Sequence, residues 1–435
     1  MDSSLISAGK FISFISRTIT QGNGSTWPGH IALKLNNNFI HDVVKKNSTK
    51  IIFIAGTNGK TTTSTLLRFL LEKNNIRVFQ NESGANLLNG VASSIIQHAN
   101  LSGKLPYDVA LFETDENTLP LLAKQISPDV IIFLNLFRDQ LDRYGEVNTI
   151  ASKWQTALNK LPKTTNLFVN GDDPELSYIA QQSGLKTHYF GLEEKYMSKK
   201  EMTHDVDFLY CPNCHHKLTF KKTTYSHMGD FVCSHCGYKK ADFKPIADLS
   251  IPLLGIYNLY NTQAAATVVK DLFGIQINVI QENLKSFKPA FGRQEILSYR
   301  NKNVMILLSK NPAGFNQSLN AIIETKQKLN VLLVLNDRIP DGRDVSWIWD
   351  VDFENLIPQA ETITISGDRV YDMGLRIKYA QEQMIEERKL KIEEDLTEAL
   401  DTAIQILPEN KTLYVLCTYS AMLEMRKIIT GKKIS

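Results

Sequence analysis

One stretch constrains the fold more than any other: Ile51 to Leu71, IIFIAGTNGKTTTSTLLRFLL. The apolar run Ile51–Ala55 reads as a buried parallel strand. It passes through Gly56-Thr57-Asn58-Gly59-Lys60-Thr61-Thr62 into apolar residues at helical spacing. Strand, glycine loop and helix together form a phosphate-binding context, because the glycines let successive backbone N–H groups converge and the helix start adds partial positive charge. Lys60 supplies a point charge for the phosphates, and the Thr61 hydroxyl is the expected Mg²⁺ ligand. The opposing interpretation, a plain turn before a core helix, leaves Gly-Lys-Thr after a strand without a reason.

At 435 residues the chain is long enough for two or three domains with substantial cores. Its 49 basic and 46 acidic residues leave a net charge of +3, which gives no electrostatic case for a nucleic-acid partner. No apolar run is long enough to span a bilayer, so no transmembrane segment is expected. Asp2 and Lys10 sit badly with a signal peptide, so a cytoplasmic protein is expected. Of five cysteines, four form the pairs Cys211/Cys214 and Cys233/Cys236. In a reducing compartment this spacing points to metal rather than disulfides. Four thiolates close a tetrahedral zinc site with no open position, hence a structural Zn²⁺ in a zinc ribbon. His215, His216 and His235 stand beside them and are not required as ligands. A redox C-x-x-C is the rival reading, but it belongs at a helix start in a βαβ unit. Cys417, in LYVLCTY, fits a buried strand.

Taken in order, residues 1–48 form a short N-terminal segment whose Phe11, Ile12, Phe14 and Ile15 can share a helix face. That face either packs on the next domain or lies on a membrane surface. Residues 49–295 alternate strands and helices, the pattern of an α/β doubly wound parallel sheet. Expected strands include Ile76–Gln80, Asp108–Glu116, Pro128–Leu136 and Leu167–Asp173, each ending in polar residues. Glu113 is the expected Mg²⁺-binding carboxylate at a strand's carboxyl edge, with Asp115 and Glu116 either neighbours or solvated surface. Asn258 and Asn261 share a helix face and read as site residues, caps or surface. The cysteine ribbon, about 202–243, is an insertion in this domain. Residues 296–435 hold a second, Rossmann-like α/β unit with strands at Val304–Ser309, Val331–Leu335, Thr362–Ser366 and Leu413–Thr418. Its long irregular segment LNDRIPDGRDVSWIWDVDF, Leu335–Phe353, mixes tryptophans with acids. That mixture suits either a binding surface or an ordinary loop with its tryptophans tucked inward.

These motifs, in this order, resemble the Mur ligase superfamily of ATP-dependent amide ligases: GTNGKTT, the strand ending in Glu113, Asp139-x-Leu-Asp-Arg-x-Gly145, Asn170-x-Asp-Asp-Pro174, Asn258-x-x-Asn261-x-x-Ala-Ala and Phe291-Gly-Arg293-x-Glu. With the ribbon, KNPAG (Lys310–Gly314) and DGRDVSWIWDVDFE, the likeness is to the MurT family of that superfamily, synthetase subunits of lipid II isoglutaminyl synthase. The resemblance implies a P-loop domain that binds ATP and Mg²⁺, with Asn261 and Arg293 contacting the nucleotide. It implies activation of the α-carboxyl of D-glutamate in the lipid II stem peptide as an acyl phosphate, then amidation to D-isoglutamine at the inner face of the bacterial membrane. Only about fifty residues precede the phosphate loop, fewer than a UDP-sugar-binding domain needs, which fits a lipid-linked substrate. Gln140 stands where the amino-acid-adding enzymes have a metal-site histidine, their Asp-x-x-His-Asn-Pro is reduced to Ser-Lys310-Asn311-Pro312, and Lys153 lies at their carbamylated-lysine position or faces solvent. Among the described motifs Cys417 has no glutaminase surroundings, so ammonia from glutamine demands a second chain. The resemblance names a GatD-type glutaminase in a heterodimer, and it implies an aspartate from this chain completing the partner's Cys-His pair: Asp344, with Asp350 next and Asp352 last. Two other functions fit fewer of these residues: a stand-alone Mur or folylpolyglutamate-type ligase adding an amino acid, and a non-catalytic nucleotide-dependent scaffold.

Overall fold

The computed structural model describes residues 2–19, 26–81, 84–138, 147–198, 206–289, 293–380 and 390–432. The chain opens with three helices, α1 (Asp2–Ile19), α2 (Trp27–Leu35) and α3 (Phe39–Val44). Strands and helices then alternate: β1 (Lys50–Ala55), α4 (Lys60–Glu72), β2 (Val78–Gln80), α5 (Leu88–His98), β3 (Val109–Thr114), α6 (Thr118–Gln125) and β4 (Val130–Phe133). The alternation continues through α7 (Val147–Leu158), β5 (Asn166–Asn170), α8 (Pro174–Ser183) and β6 (Lys186–Phe190). These six strands form one parallel sheet in the order β2-β3-β1-β4-β5-β6. An antiparallel hairpin follows, β7 (Thr219–Tyr225) and β8 (Met228–Val232), then helices α9 (Ile256–Phe273) and α10 (Ile277–Leu284).

Strand β1 shows why the sheet is doubly wound. Successive side chains of a strand point to opposite faces, and both faces here must be covered. Ile51, Phe53 and Ala55 join one core with Phe39, Ile95, Phe112 and Trp154. Ile52 and Ile54 join the other with Leu66, Leu67 and Leu70 of α4 and Ala264, Ala265 and Val268 of α9. The N-terminal helices lie on the first of these faces. Ile6 is fully buried there, and a β-carbon on Gly9 would come within 2.9 Å of Ile96 Cγ2, so α1 sits close on α5. The packed position is therefore Ile6; Phe11 is exposed, and the Phe14 and Ile15 side chains lie outside the described residues.

The second sheet begins with β9 (Arg293–Tyr299), an antiparallel edge strand beside β10 (Lys302–Leu308). It continues with α11 (Pro312–Ile323), β11 (Leu329–Val334), β12 (Ala360–Ser366), α12 (Val370–Tyr379), β13 (Leu390–Ile392), α13 (Leu396–Ile406), β14 (Thr412–Cys417) and α14 (Tyr419–Thr430). The order β13-β12-β11-β14-β10-β9 is parallel apart from β9. Cys417 is fully buried in β14 and burial pushes its thiol up, which fits a small core residue.

Candidate functional site: a phosphate loop at the junction of two sheets

The loop after β1 is held by what has no side chain and by what reaches in from β4. Gly56 (φ +147°) and Gly59 (φ +89°) adopt backbone conformations that L-residues avoid. A β-carbon on Gly59 would lie 2.1 Å from Asn261 Oδ1 of α9, so the loop and that helix meet without room for a methyl. Asn135 clamps the loop from the other side. Its Oδ1 accepts from Asn58 N (2.8 Å) and its Nδ2 donates to Asn58 O (2.9 Å). Thr57 N donates to Asn135 O, and Phe137 N donates to Thr57 Oγ1. Sequence reasoning passed over Asn135; the signal was an asparagine interrupting the apolar run VIIFLNL.

On the β3 side of β1 lies an acidic edge. Thr61 Oγ1 donates to Glu113 Oε2 at 2.8 Å, and both residues are buried. Lys60 Nζ, on the same turn, donates to Gly56 O (2.5 Å) and Thr57 O (3.3 Å) and stands 3.5 Å from Glu116 Oε1. Asp115 and Glu116 are buried, so solvated surface is not their state. Trp154 Nε1 donates to Glu116 O, fixing the end of the strand's exit. Asn81 brackets Glu113 by donating to its carbonyl and accepting from its N–H. A hydroxyl and a carboxylate converging beside a lysine make a hard-oxygen pair suited to Mg²⁺ next to a phosphate.

On the β4 side the same loop borders a slot between the two sheets. Among its lining residues are Phe137, Tyr225, Tyr257 and Leu308, with Asn258 and Gln317 as polar members. Asn258 and Asn261 are buried, not surface; Asn261 Nδ2 donates to Asn258 Oδ1, and Asn261 Oδ1 accepts from Thr63 Oγ1. Arg293 opens β9, but its side chain, like Gln140 and the Asp139–Gly145 motif, lies outside the described residues. The second sheet reaches the loop through Asn311, which caps α11 by accepting from Gly314 N. Asn311 and Asn58 exchange amide hydrogen bonds, at 3.2 and 3.3 Å. Lys153 is exposed and donates to Asn117 Oδ1.

The acids at the exit of β5 behave differently from those of β3. Asp173 caps α8 by accepting from Glu175 N and Leu176 N. Asp172, fully buried, receives Tyr260 OH (2.7 Å), Leu192 N (3.0 Å) and Lys240 Nζ (2.5 Å). Burial nonetheless pushes its carboxyl up. Asp172 anchors the hairpin and Asp173 the start of α8, so the polar exit of this strand is used in packing.

Cys211, Cys214, Cys233 and Cys236 come together at the open end of that hairpin, their sulfurs all within 4.8 Å. The pairs Cys211/Cys236 and Cys214/Cys233 are 3.6 and 3.5 Å apart. Zinc–sulfur bonds of about 2.3 Å in a tetrahedron require sulfurs about 3.8 Å apart, so the donor set fits Zn²⁺ without rebuilding. Each knuckle is closed by backbone bonds, Cys211 N to His216 O and Cys233 N to Tyr238 O. His216 and His235 stack face to face at 3.6 Å and 7°. Parallel rings send their lone pairs in parallel rather than toward one ion, which favours the four sulfurs as the ligand set.

The aspartate loop separates its three carboxylates. Asp344 is exposed, and its Oδ1 accepts from Ser346 N (2.8 Å); the Ser346 side chain and backbone hold its carboxyl below the usual range. Asp350, ending the 3-10 turn Ser346–Asp350, pairs with Arg138. Asp352 is tied to Asn316 in both directions. The tryptophans divide too: Trp347 packs toward Phe315, whereas Trp349 remains half exposed.

Two family profiles match: Mur ligase middle domain over residues 54–269 and MurT ligase C-terminal over 308–422. The chain is 33% identical over 381 residues to the lipid II isoglutaminyl synthase (glutamine-hydrolyzing) subunit MurT of Staphylococcus aureus, covering 82% of this chain and 83% of that one. It is 30% identical over 438 residues to the subunit of the same name from Streptococcus pneumoniae, covering 95% and 94%. In fold it is similar to a pseudomurein peptide ligase type C from Methanothermus fervidus, with a TM-score of 0.64 and 23% identity over 90% of this chain and 81% of that one. With relatives at 30–33% identity covered over 83–94% of their length, the chain belongs to the MurT family of Mur-type ligases.

Proposed function

We propose that this chain is the ATP-dependent ligase subunit of a lipid II isoglutaminyl synthase, working with a GatD-type glutaminase. The observation that carries the reading is the Thr61–Glu113 pair beside Lys60, at the carboxyl edge of a parallel sheet. The loop N–H groups and Lys60 bind and orient the triphosphate. Thr61 and Glu113 would hold Mg²⁺, which would supply neutralisation of charge on the transferring phosphoryl group. A carboxylate oxygen of the stem-peptide D-glutamate attacks the γ-phosphorus, and ADP leaves. Ammonia then attacks the acyl carbon, phosphate leaves, and the amine loses a proton, giving D-isoglutamine. Asn261 and Arg293 would complete the nucleotide contacts.

The four cysteines hold a structural Zn²⁺, making the hairpin a zinc ribbon inserted at about 202–243, and residues 296–435 act as a Rossmann-like unit. Asp344 faces the partner: it is exposed and held in its ionised form, whereas Asp350 and Asp352 are engaged within this chain. Action at the cytoplasmic face of the membrane follows from the lipid-linked substrate; among the described residues no helix is long and apolar enough to cross a membrane. Stem-peptide amidation by the purified chain tests the proposal. With ATP, ammonium should support the reaction by the chain alone, and glutamine only when the glutaminase is added. Turnover of a free amino acid in place of ammonia, or no ATP turnover in any combination, would overturn it.

A further inference from the structure

The cysteine-bearing hairpin has two ends, and they lie in different surroundings. The thiol end is partly open, with Cys236 exposed. The tip is sealed inside the nucleotide domain: Ser226, His227, Met228 and Thr224 are all buried. Two bonds fix it there, and a third joins their two anchors. Gly229 N donates to Asp172 O (2.9 Å), Thr224 Oγ1 meets Tyr260 OH (2.9 Å), and Tyr260 OH donates to Asp172 Oδ2. Met228 shares a cluster with Phe137 and Tyr260 of the first unit and Ala313 of the second. The insertion therefore ends where both sheets meet.

Tyr225, the last residue of β7 before that tip, lines the slot beside the phosphate loop together with Asn58, Gly59 and Phe137. Its ring lies near-parallel to Phe137, 6.1 Å away at 24°, and edge-on to Tyr260 at 5.9 Å. Topology separates this slot from the acidic edge: β1 has β3 with Glu113 on one side and β4, leading to Asn135 and Phe137, on the other. A triphosphate with its terminal group at Thr61 and Glu113 thus has its flat base directed to the aromatic side. On the nucleotide reading above, we infer that the hairpin tip is a wall of the base site and that Tyr225 is a nucleobase-binding residue. The insertion then has a purpose inside this chain, contributing an aromatic face to the ligand from outside the parallel sheet. The chemistry is stacking of an aromatic ring on a purine, which needs the ring and not the hydroxyl.

Calorimetric titration of the full chain with ATP and with inorganic tripolyphosphate tests this. Tyr225→Ala should raise the Kd for ATP roughly tenfold, the loss expected for one stacking contact, and leave tripolyphosphate binding unchanged. Tyr225→Phe should bind both ligands as the parent does. Unchanged tripolyphosphate binding also shows that the alanine variant is folded at the loop. Equal weakening of both ligands by Tyr225→Ala would overturn the inference, since the tip would then act on the loop rather than on the base; so would no change in either. Failure of the parent chain to bind ATP would overturn the nucleotide reading itself, and Lys60→Ala, expected to lose both ligands, marks that separate failure.

Discussion

Arg138 and Asp350 face each other across the junction of the two sheets, with Nη1 3.3 Å from Oδ2. The same guanidinium binds Asp207 through Nε, and Arg138 N donates to that carboxylate as well. One side chain thus ties the exit of β4 to the segment entering the hairpin and to the aspartate loop. The Arg138–Asp350 pair is about one-third exposed on each side, a setting in which ion pairs contribute about 0–1 kcal/mol. Asp350→Asn should therefore lower stability by under about 1 kcal/mol in denaturant unfolding. Asp344→Asn should differ in kind, abolishing glutamine-driven amidation while sparing ammonium-driven turnover. Equal loss with both nitrogen sources would remove Asp344 from the partner's triad.

Lys60→Ala and Glu113→Gln attack the phosphate edge from two directions. Each removes charge or a ligand where the transferring group must sit, so ammonium-driven amidation should fall by roughly 100-fold or more in either. The two should separate by metal: raising Mg²⁺ should recover part of the Glu113→Gln activity and none of the Lys60→Ala activity. Initial rates across a Mg²⁺ series measure this.

Metal analysis should find one zinc per chain. Cys233→Ser opens the tetrahedron at a buried ligand, so bound zinc should drop and the melting temperature fall by several degrees. Full zinc content in that variant would contradict the four-sulfur set, and a chelator should reproduce the variant's melting behaviour in the parent.

Glu175 supplies a pH dependence. Burial, then the neighbouring Asp173 charge, push its carboxyl up to about 7 from an ordinary value near 4.5. The folded state then holds a proton that the unfolded chain releases, so this group costs stability progressively as pH rises from 4.5 to 7. Glu175→Gln should raise the melting temperature at pH 8 and change little at pH 4.5. An equal gain at both values would show that charge is not the cause.

Much of the site was legible because its residues are consecutive or end strands. Gly56 to Thr62 and Glu113 need only a strand-to-helix turn and a parallel neighbour, and periodicity declares both. Asn135, Tyr225 and the Asn58–Asn311 pair were not legible, since each acts across segments remote in sequence and none has a local pattern. Asp172 and Asp173 carried no local mark of their role. The buried Tyr260 hydroxyl holds Asp172 from a distant helix, and Asp173 caps α8. The antiparallel β9 was hidden too, because RQEILSY is half polar and on an edge.

The two amides that join Asn58 to Asn311 belong to residues 253 positions apart. Closing so long a loop is entropically costly and has to wait for both ends to be ordered. Each sheet can gather its own strands from nearer contacts, but the cleft between them exists only once both are finished. A chain emerging from the ribosome would therefore complete its glycine turn long before it could embrace a ligand there, and ATP would favour only the last stage of assembly.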